Sequence, residues 1–127
     1  MIKKVLVVDD YLPMLLALRV GLETIGYEVT TASDGQSALY QFHESRPDLI
    51  ILDITMPGMD GWEVCHQLRQ VSSVPIIILT GYHSSQEDIR KGLAMGANAY
   101  LIKPVSLHDL HVCMRTVLQQ AHNPLPL

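Results

Sequence analysis

Five residues with reactive or charged side chains stand where short apolar runs end. Asp9 and Asp10 follow "VLVV", Asp53 follows "LIIL", Thr80 closes "PIIILT", and Lys103 follows "AYLI". If those runs are strands ending at one edge, three carboxylates, one hydroxyl and one ammonium meet there. Acids within about 4–6 Å of one another resist joint ionisation unless a cation intervenes. One lysine leaves the three acids under-compensated, and a divalent hard cation completes the balance. A ligand set of oxygens, with no His or Cys, suits magnesium and also manganese rather than zinc, and magnesium keeps room in its shell for water and a substrate phosphate. The chemistry predicted is phosphoryl capture. Asp53 is the nucleophile and acceptor, Lys103 and the metal offset charge on the transferring oxygens, and Thr80 donates a hydrogen bond to the same group.

The chain that must position these residues has 127 residues, 48% of them hydrophobic, enough for one domain with its own core. A formal net charge of −4 argues against direct binding to nucleic acid or anionic membrane, which needs a basic face. The start "MIKKVLVVDD" carries a run of only four apolar residues before two acids, which is neither a signal peptide nor a membrane span. Cys65 and Cys113 fall at apolar helical positions and make no CxxC pair, the pattern of buried free thiols in a reducing compartment.

Strand-like runs at "KVLVV", "YEVTTA", "LIIL", "PIIILT" and "AYLI" alternate with helical periodicity, which predicts five strands and five helices. The first helix is expected to begin near Pro13, turn Leu15, Leu18, Leu22 and Ile25 inward, and stop at Gly26. Asp34 is the expected cap of the second, which buries Ala38, Leu39 and Phe42, and the third follows Gly61 and packs Val64, Cys65 and Leu68. Ser84 with Glu87 reads as a capping box ahead of Ile89 and Leu93. Ser106 with Asp109 reads as a similar box opening the last helix, whose stripe is Leu110, Cys113 or Met114, Val117 and Ala121. Strict alternation implies an α/β, doubly wound parallel sheet covered on both faces, because each parallel connection needs a right-handed crossover. Such sheets bind ligands at the carboxyl ends of their strands, the edge where the five residues fall.

The segments "VLVVDD", "LIILDITMPGMDG", "PIIILTG" and "GANAYLIKP", in this order and spacing, resemble the response-regulator receiver domain of two-component signalling over nearly the whole chain. The resemblance implies a flavodoxin-like fold of five strands in the order 2-1-3-4-5. It implies a phosphoacceptor regulator rather than an enzyme: Asp53 takes a phosphoryl group from the phosphohistidine of a sensor histidine kinase or phosphotransfer protein, and the domain promotes its own magnesium-dependent phosphorylation and slow dephosphorylation. Mg2+ is implied at Asp10, Asp53 and the backbone carbonyl of Thr55, with Asp9 assisting through water. Thr80 and Tyr100 are the implied switch residues, and Lys103-Pro104 is a candidate cis peptide. A cytoplasmic location and a C-terminal output domain in a longer parent chain are implied as well. Residues 1–121 are then the receiver and "HNPLPL", residues 122–127, a tail or the start of a linker, since its prolines cannot extend a helix.

Taken singly, the residues have plainer readings. Paired acids can open a solvated helix, Thr80 can be a strand-end cap, Lys103 a surface charge and Tyr100 a packing aromatic. Pro57 and Gly58 fit a turn, in which Asp60 reads as a turn residue rather than a metal ligand. His108 and His111 stand three apart on one helix without a third ligand, His83 follows the threonine, and Trp62 reads as a partly exposed packing residue. A flavin carrier of this fold wants a Ser/Thr/Gly-rich phosphate loop where the chain has "DDYLP". A haloacid-dehalogenase-like phosphatase wants a second acid two residues after the nucleophile, where Thr55 stands. A pseudo-receiver that only binds proteins is disfavoured by the complete acid, hydroxyl and lysine set. The chain departs from the family pattern at Tyr11 and Leu12, where many receivers have another polar residue. Tyr82 is bulky enough to shield a phosphoryl group from water. Asn98, Ala99 and Cys113 replace charges by which one branch of the family dimerises.

Overall fold

Side chains alternate across a strand, so a sheet covered on both faces needs apolar residues at every position of its inner strands. The computed structural model describes residues 2–56, 58–81 and 85–122. Its strands are β1 (Lys4–Val8), β2 (Glu28–Ala32), β3 (Leu49–Leu52), β4 (Ile76–Thr80) and β5 (Ala99–Ile102), and its helices are α1 (Leu12–Thr24), α2 (Gly35–Ser45), α3 (Gly61–Val71), α4 (Gln86–Ala94) and α5 (Leu107–His122). The strands pair in parallel in the order β2-β1-β3-β4-β5. Leu6, Val8, Ile50, Leu52, Ile76 and Ile78 face one side and pack with Ala38 of α2 and Val64, Cys65 and Leu68 of α3. Val5, Val7, Leu49, Ile51, Ile77 and Leu79 face the other, against Leu15 and Leu22 of α1 and Leu110, Met114, Val117 and Leu118 of α5. Each Val, Leu or Ile so buried contributes roughly 1.5–3 kcal/mol relative to exposure.

Pro13 lies in the first turn of α1, and the chain leaves the helix through Gly26, at φ 107°, whose N–H donates to the Glu23 carbonyl at 3.1 Å. Leu15 and Leu22 are buried, but Ile25 is 39% exposed because it lies past the last helical residue, where the chain is already turning. Asp34 caps α2 by accepting from the Ser37 N–H at 2.7 Å. Asp60, read as a turn residue, is the cap of α3 and accepts from the Glu63 N–H at 3.0 Å. The cap of α4 is Ser85: its Oγ accepts from the Asp88 N–H at 3.0 Å and its hydroxyl donates to Asp88 Oδ2 at 2.8 Å. Ser84 lies outside the described residues, and Ser85 with Asp88 offers the same spacing one residue later. The buried residue of α4 is Gly92, while Leu93 is 46% exposed, so the helix is rotated from the expected stripe. Ser106 Oγ accepts from the Asp109 N–H at 3.0 Å at the start of α5. Leu118 is buried in place of Ala121, which lines an open recess beside Pro47, Asp48 and Ser73. The helix ends at His122, one residue beyond the expected limit of the domain. Cys65 is buried and Cys113 half-buried, both as free thiols. No helix among the described residues is long and apolar enough to cross a membrane.

Candidate functional site

Strand register decides which residues meet. Val8 pairs with Leu52, so Asp9 and Asp53 leave neighbouring strands at the same level, and Thr80 pairs with Ile102, which puts Lys103 beside it. Backbone bonds carry the ladder into these residues, Asp53 N–H to the Val8 carbonyl at 2.9 Å and Lys103 N–H to the Thr80 carbonyl at 2.9 Å. The Lys103-Pro104 peptide is cis. Gly61 brings the start of α3 against the same backbone: its N–H donates to the Ile54 carbonyl at 2.9 Å, and a Cβ there would collide with the Asp53 carbonyl oxygen.

The apolar ladder beneath keeps three polar residues out of water. Asp9 is 2% exposed, Asp53 7% and Thr80 0%, whereas Asp10 is exposed. Lys103 Nζ donates to Asp9 Oδ2 at 2.7 Å and reaches Asp53 Oδ2 at 3.5 Å. Asp9 Oδ1 accepts from the Tyr11 N–H at 3.0 Å, and Asp53 Oδ1 from the Thr55 N–H at 3.2 Å. Asp9 is therefore well compensated and Asp53 less so. Burial pushes the Asp53 carboxyl up, the Asp9 charge adds to this, and Lys103, the Thr55 N–H and the Thr80 hydroxyl oppose it only in part. Burial acts on Lys103 in the opposite sense, to lower its pKa, but the bond to Asp9 and the two carboxylate charges outweigh it and leave the lysine above its ordinary value. Thr80 Oγ1 is buried without a hydrogen-bond partner of full geometry among the described residues, although the hydroxyl is near enough to Asp53 to ease its ionisation. It is a donor held beside the carboxylate with no committed acceptor.

Asp9, Asp10, Tyr11, Asp53, Thr55, Gly81 and Lys103 line an open cavity of about 370 Å³. One carboxylate oxygen from each of Asp9, Asp10 and Asp53 lies within 4.8 Å of the others. An oxygen-only set this close, with one lysine against three acids, fits a hard divalent cation. Tyr100 is half-buried to one side, and burial, followed by the charges of Asp88 and Asp53, holds its hydroxyl above the usual tyrosine range. Of the residues expected to act together, Asp9, Asp10, Asp53, Thr55 and Lys103 meet at the cavity and Thr80 lies buried beside Asp53. Tyr11, singled out in the sequence as a departure from the family pattern, lines the cavity, whereas Gly81 in the lining and the close approach of Gly61 to the Asp53 backbone were not anticipated. The bonds from Tyr11 and Thr55 to acids two residues back are Asx turns, a signal already present in "DDY" and "DIT". His111 packs edge-on against Tyr27, and Lys91 lies over the Trp62 ring at 4.5 Å. Pro57, Tyr82 and His83 lie outside the described residues.

The response regulator receiver domain profile matches residues 5–115. The probable transcriptional regulator ycf27 of Cyanophora paradoxa is 43% identical over 122 residues, 96% of this chain and 51% of that protein. The alkaline phosphatase synthesis transcriptional regulatory protein PhoP of Bacillus subtilis (strain 168) is 40% identical over 125 residues, 98% of this chain and 52% of that protein. The chain thus spans about half the length of these curated relatives. Among solved structures, a response regulator receiver domain protein from Clostridium thermocellum superposes with a TM-score of 0.90 at 30% identity, covering 98% of this chain and 100% of that one. The chemotaxis protein CheY4 of Vibrio cholerae gives 0.87 at 37% identity, covering 92% and 99%. The profile runs from Val5 in β1 to Arg115 in α5 and so takes in the strand ends that meet at the acid cluster: the chain belongs to the response regulator receiver domains, the phosphoacceptor switches of two-component signalling, and its acid cluster fits their phosphorylation site.

Proposed function

We propose that Asp53 is the phosphoacceptor, that it draws its phosphoryl group from the phosphohistidine of a sensor histidine kinase or phosphotransfer protein, and that the change is read by an output domain or partner. The observation that carries this reading is the uneven grip of Lys103, 2.7 Å from Asp9 and 3.5 Å from Asp53, at the edge of an open cavity. A nucleophile needs a lone pair that its surroundings do not consume, and of the two Lys103 contacts Asp53 Oδ2 receives the longer. In the transfer an Asp53 oxygen bonds to phosphorus as the donor's phosphorus–nitrogen bond breaks, and the histidine nitrogen keeps that electron pair. Lys103 supplies positive charge beside the transferring oxygens, and Thr80 has a hydroxyl hydrogen to give them. Magnesium, or manganese in its place, would be held by Asp10, Asp53 and the Thr55 backbone carbonyl with Asp9 assisting through water, and together with Lys103 it would offset the three carboxylates that an incoming anion must approach. This division among the acids is supported by their surroundings, since Asp9 is engaged by Lys103 and the Tyr11 N–H while Asp10 is exposed. Position 55 carries no acid to activate water, which favours slow dephosphorylation over rapid turnover.

The donor has to reach the cavity, whose lining includes the exposed Tyr11. Tyr11, Leu12, Leu16 and Val20 are all exposed, and the last three repeat every four residues along α1, so an apolar stripe leads away from the cavity. It suits the apolar face of a helix that carries the donor histidine. Thr80 and Tyr100 are the residues that relay capture to the surface. The receiver proper is assigned to residues 1–121, with 122–127 leading into a linker of a longer regulator, a reading in keeping with the half-length match to transcriptional regulators. A cytoplasmic site of action is in keeping with two free thiols. Phosphoramidate, which has a phosphorus–nitrogen bond like the donor's, tests the transfer. With Mg2+ the intact mass should rise by one phosphoryl group and EDTA should prevent the gain. No gain under conditions that label another receiver would overturn the reading.

A further inference from the structure

Helix α4 meets the sheet through a residue with no side chain. Its buried residue is Gly92. A Cβ there would lie 2.7 Å from Tyr100 Cδ2, 2.8 Å from Tyr100 Cε2 and 2.9 Å from Ile78 Cδ1, well inside the roughly 3.5–4.0 Å at which carbon atoms pack. The edge of the Tyr100 ring therefore occupies the notch that the missing methyl leaves. Glycine inside a helix is unfavourable because it has more freedom to lose than alanine, so close approach is the physical reason for it here. The rest of α4 grips weakly: Leu93 is 46% exposed and Ile89 only half-buried.

We propose that Gly92 is a positioning residue for the switch at Tyr100: its notch seats the ring, so the ring's position and the seat of α4 on the sheet change together. A ring that leaves the notch lets α4 settle toward β5, and a displaced α4 releases the ring. The inference rests on the reading of Tyr100 as the aromatic that responds to phosphoryl capture, and it adds the residue that couples the ring to α4. The exposed side of α4 bears Arg90, Lys91 and Leu93.

Fluorotyrosine incorporated into the whole chain gives a fluorine resonance for Tyr100, identified by its loss in Tyr100→Phe. In the parent, Mg2+ with beryllofluoride should shift that resonance; a Tyr100 signal that ignores them defeats the switch reading alone. Gly92→Ala should shift the resonance before any beryllofluoride is added, by expelling the ring, and should blunt the further response while beryllofluoride still binds. Thermal denaturation gives an arm that does not depend on switching. Gly92→Ala should lower Tm by several degrees when Tyr100 is present and raise it in a Tyr100→Ala background, where the methyl enters vacated space, the Ile78 chain end can turn aside, and alanine is the better helix former. Should Gly92→Ala not fold, the double variant decides, because it must be at least as stable as Tyr100→Ala. An unmoved Tyr100 resonance in Gly92→Ala, or the same loss of Tm with and without the ring, overturns the proposal.

Discussion

The Asp53 carboxylate faces Asp9 across the strand gap, with Lys103 nearer to Asp9 than to itself. Its pKa stands above the ordinary value because burial first, and the Asp9 charge second, disfavour its ionised form. A raised acid pKa means that the folded chain holds the proton more tightly than the unfolded one. Metal-free stability is then full below the unfolded value of about 4 and falls as pH rises through the folded value. Asparagine has no such proton to lose. In EDTA, Asp53→Asn is predicted to have a higher Tm than the parent at neutral pH, and the gap should close as pH falls toward about 4; a gap that does not change with pH in calorimetry would contradict the charge account. The acids also divide by accessibility. Asp10→Ala is predicted to weaken Mg2+ binding by about tenfold or more, and further than Asp9→Ala does, because the Asp9 oxygens are already engaged. Equal affinity in the parent and Asp10→Ala, by titration calorimetry, would contradict the assignment.

Among the elements, α1 carries a prediction of its own. Leu16→Glu and Val20→Glu replace exposed residues, so folding and labelling by small phosphodonors should be unaffected. Transfer from a donor protein should slow by about tenfold, equivalent to ~1.4 kcal/mol, if the stripe is covered in the encounter. Equal slowing with both kinds of donor would place the fault in the site instead. What was legible at this scale follows from what periodicity measures. The inner strands were plain because burial on two faces leaves no polar residue in "LIIL" or "IIIL". The caps at Asp34 and Ser106 were legible because acceptor and donor lie three residues apart in sequence. Two serines in succession left the start of α4 ambiguous by one residue. Its buried face was misread for a different reason: Gly92 packs closely by having no side chain, and an apolar count passes over it in favour of Leu93.

For the whole molecule, the loop before β5 is tied inward. Asn98 Oδ1 accepts from the Ile76 N–H at 2.9 Å and from Arg69 at 3.0 Å, and Arg69 Nε donates to the Gly96 carbonyl at 2.9 Å. The branch of the family that dimerises through charges is expected to carry acids in that loop and an arginine where the half-buried Cys113 stands here. A beryllofluoride-activated form is therefore predicted not to make that dimer. Light scattering with and without Mg2+ and beryllofluoride checks it; Arg115 is an exposed cation remaining on α5, and an activated dimer abolished by Arg115→Glu would contradict the prediction. The convergence of residues as far apart as Asp9 and Lys103 was readable because parallel alternation sends every strand end to one edge. The preference of Lys103 for Asp9 over Asp53 was not, since it turns on less than an ångström of side-chain placement.

The identity of the acceptor is tested most directly by acetyl phosphate. Hydroxylamine attacks an acyl phosphate at its carbonyl and leaves a phosphoester intact. Intact mass in Mg2+ should show one phosphoryl group on the parent, lost on hydroxylamine treatment, and none on Asp53→Asn. An unlabelled parent, or a label that persists in Asp53→Asn, would contradict the account.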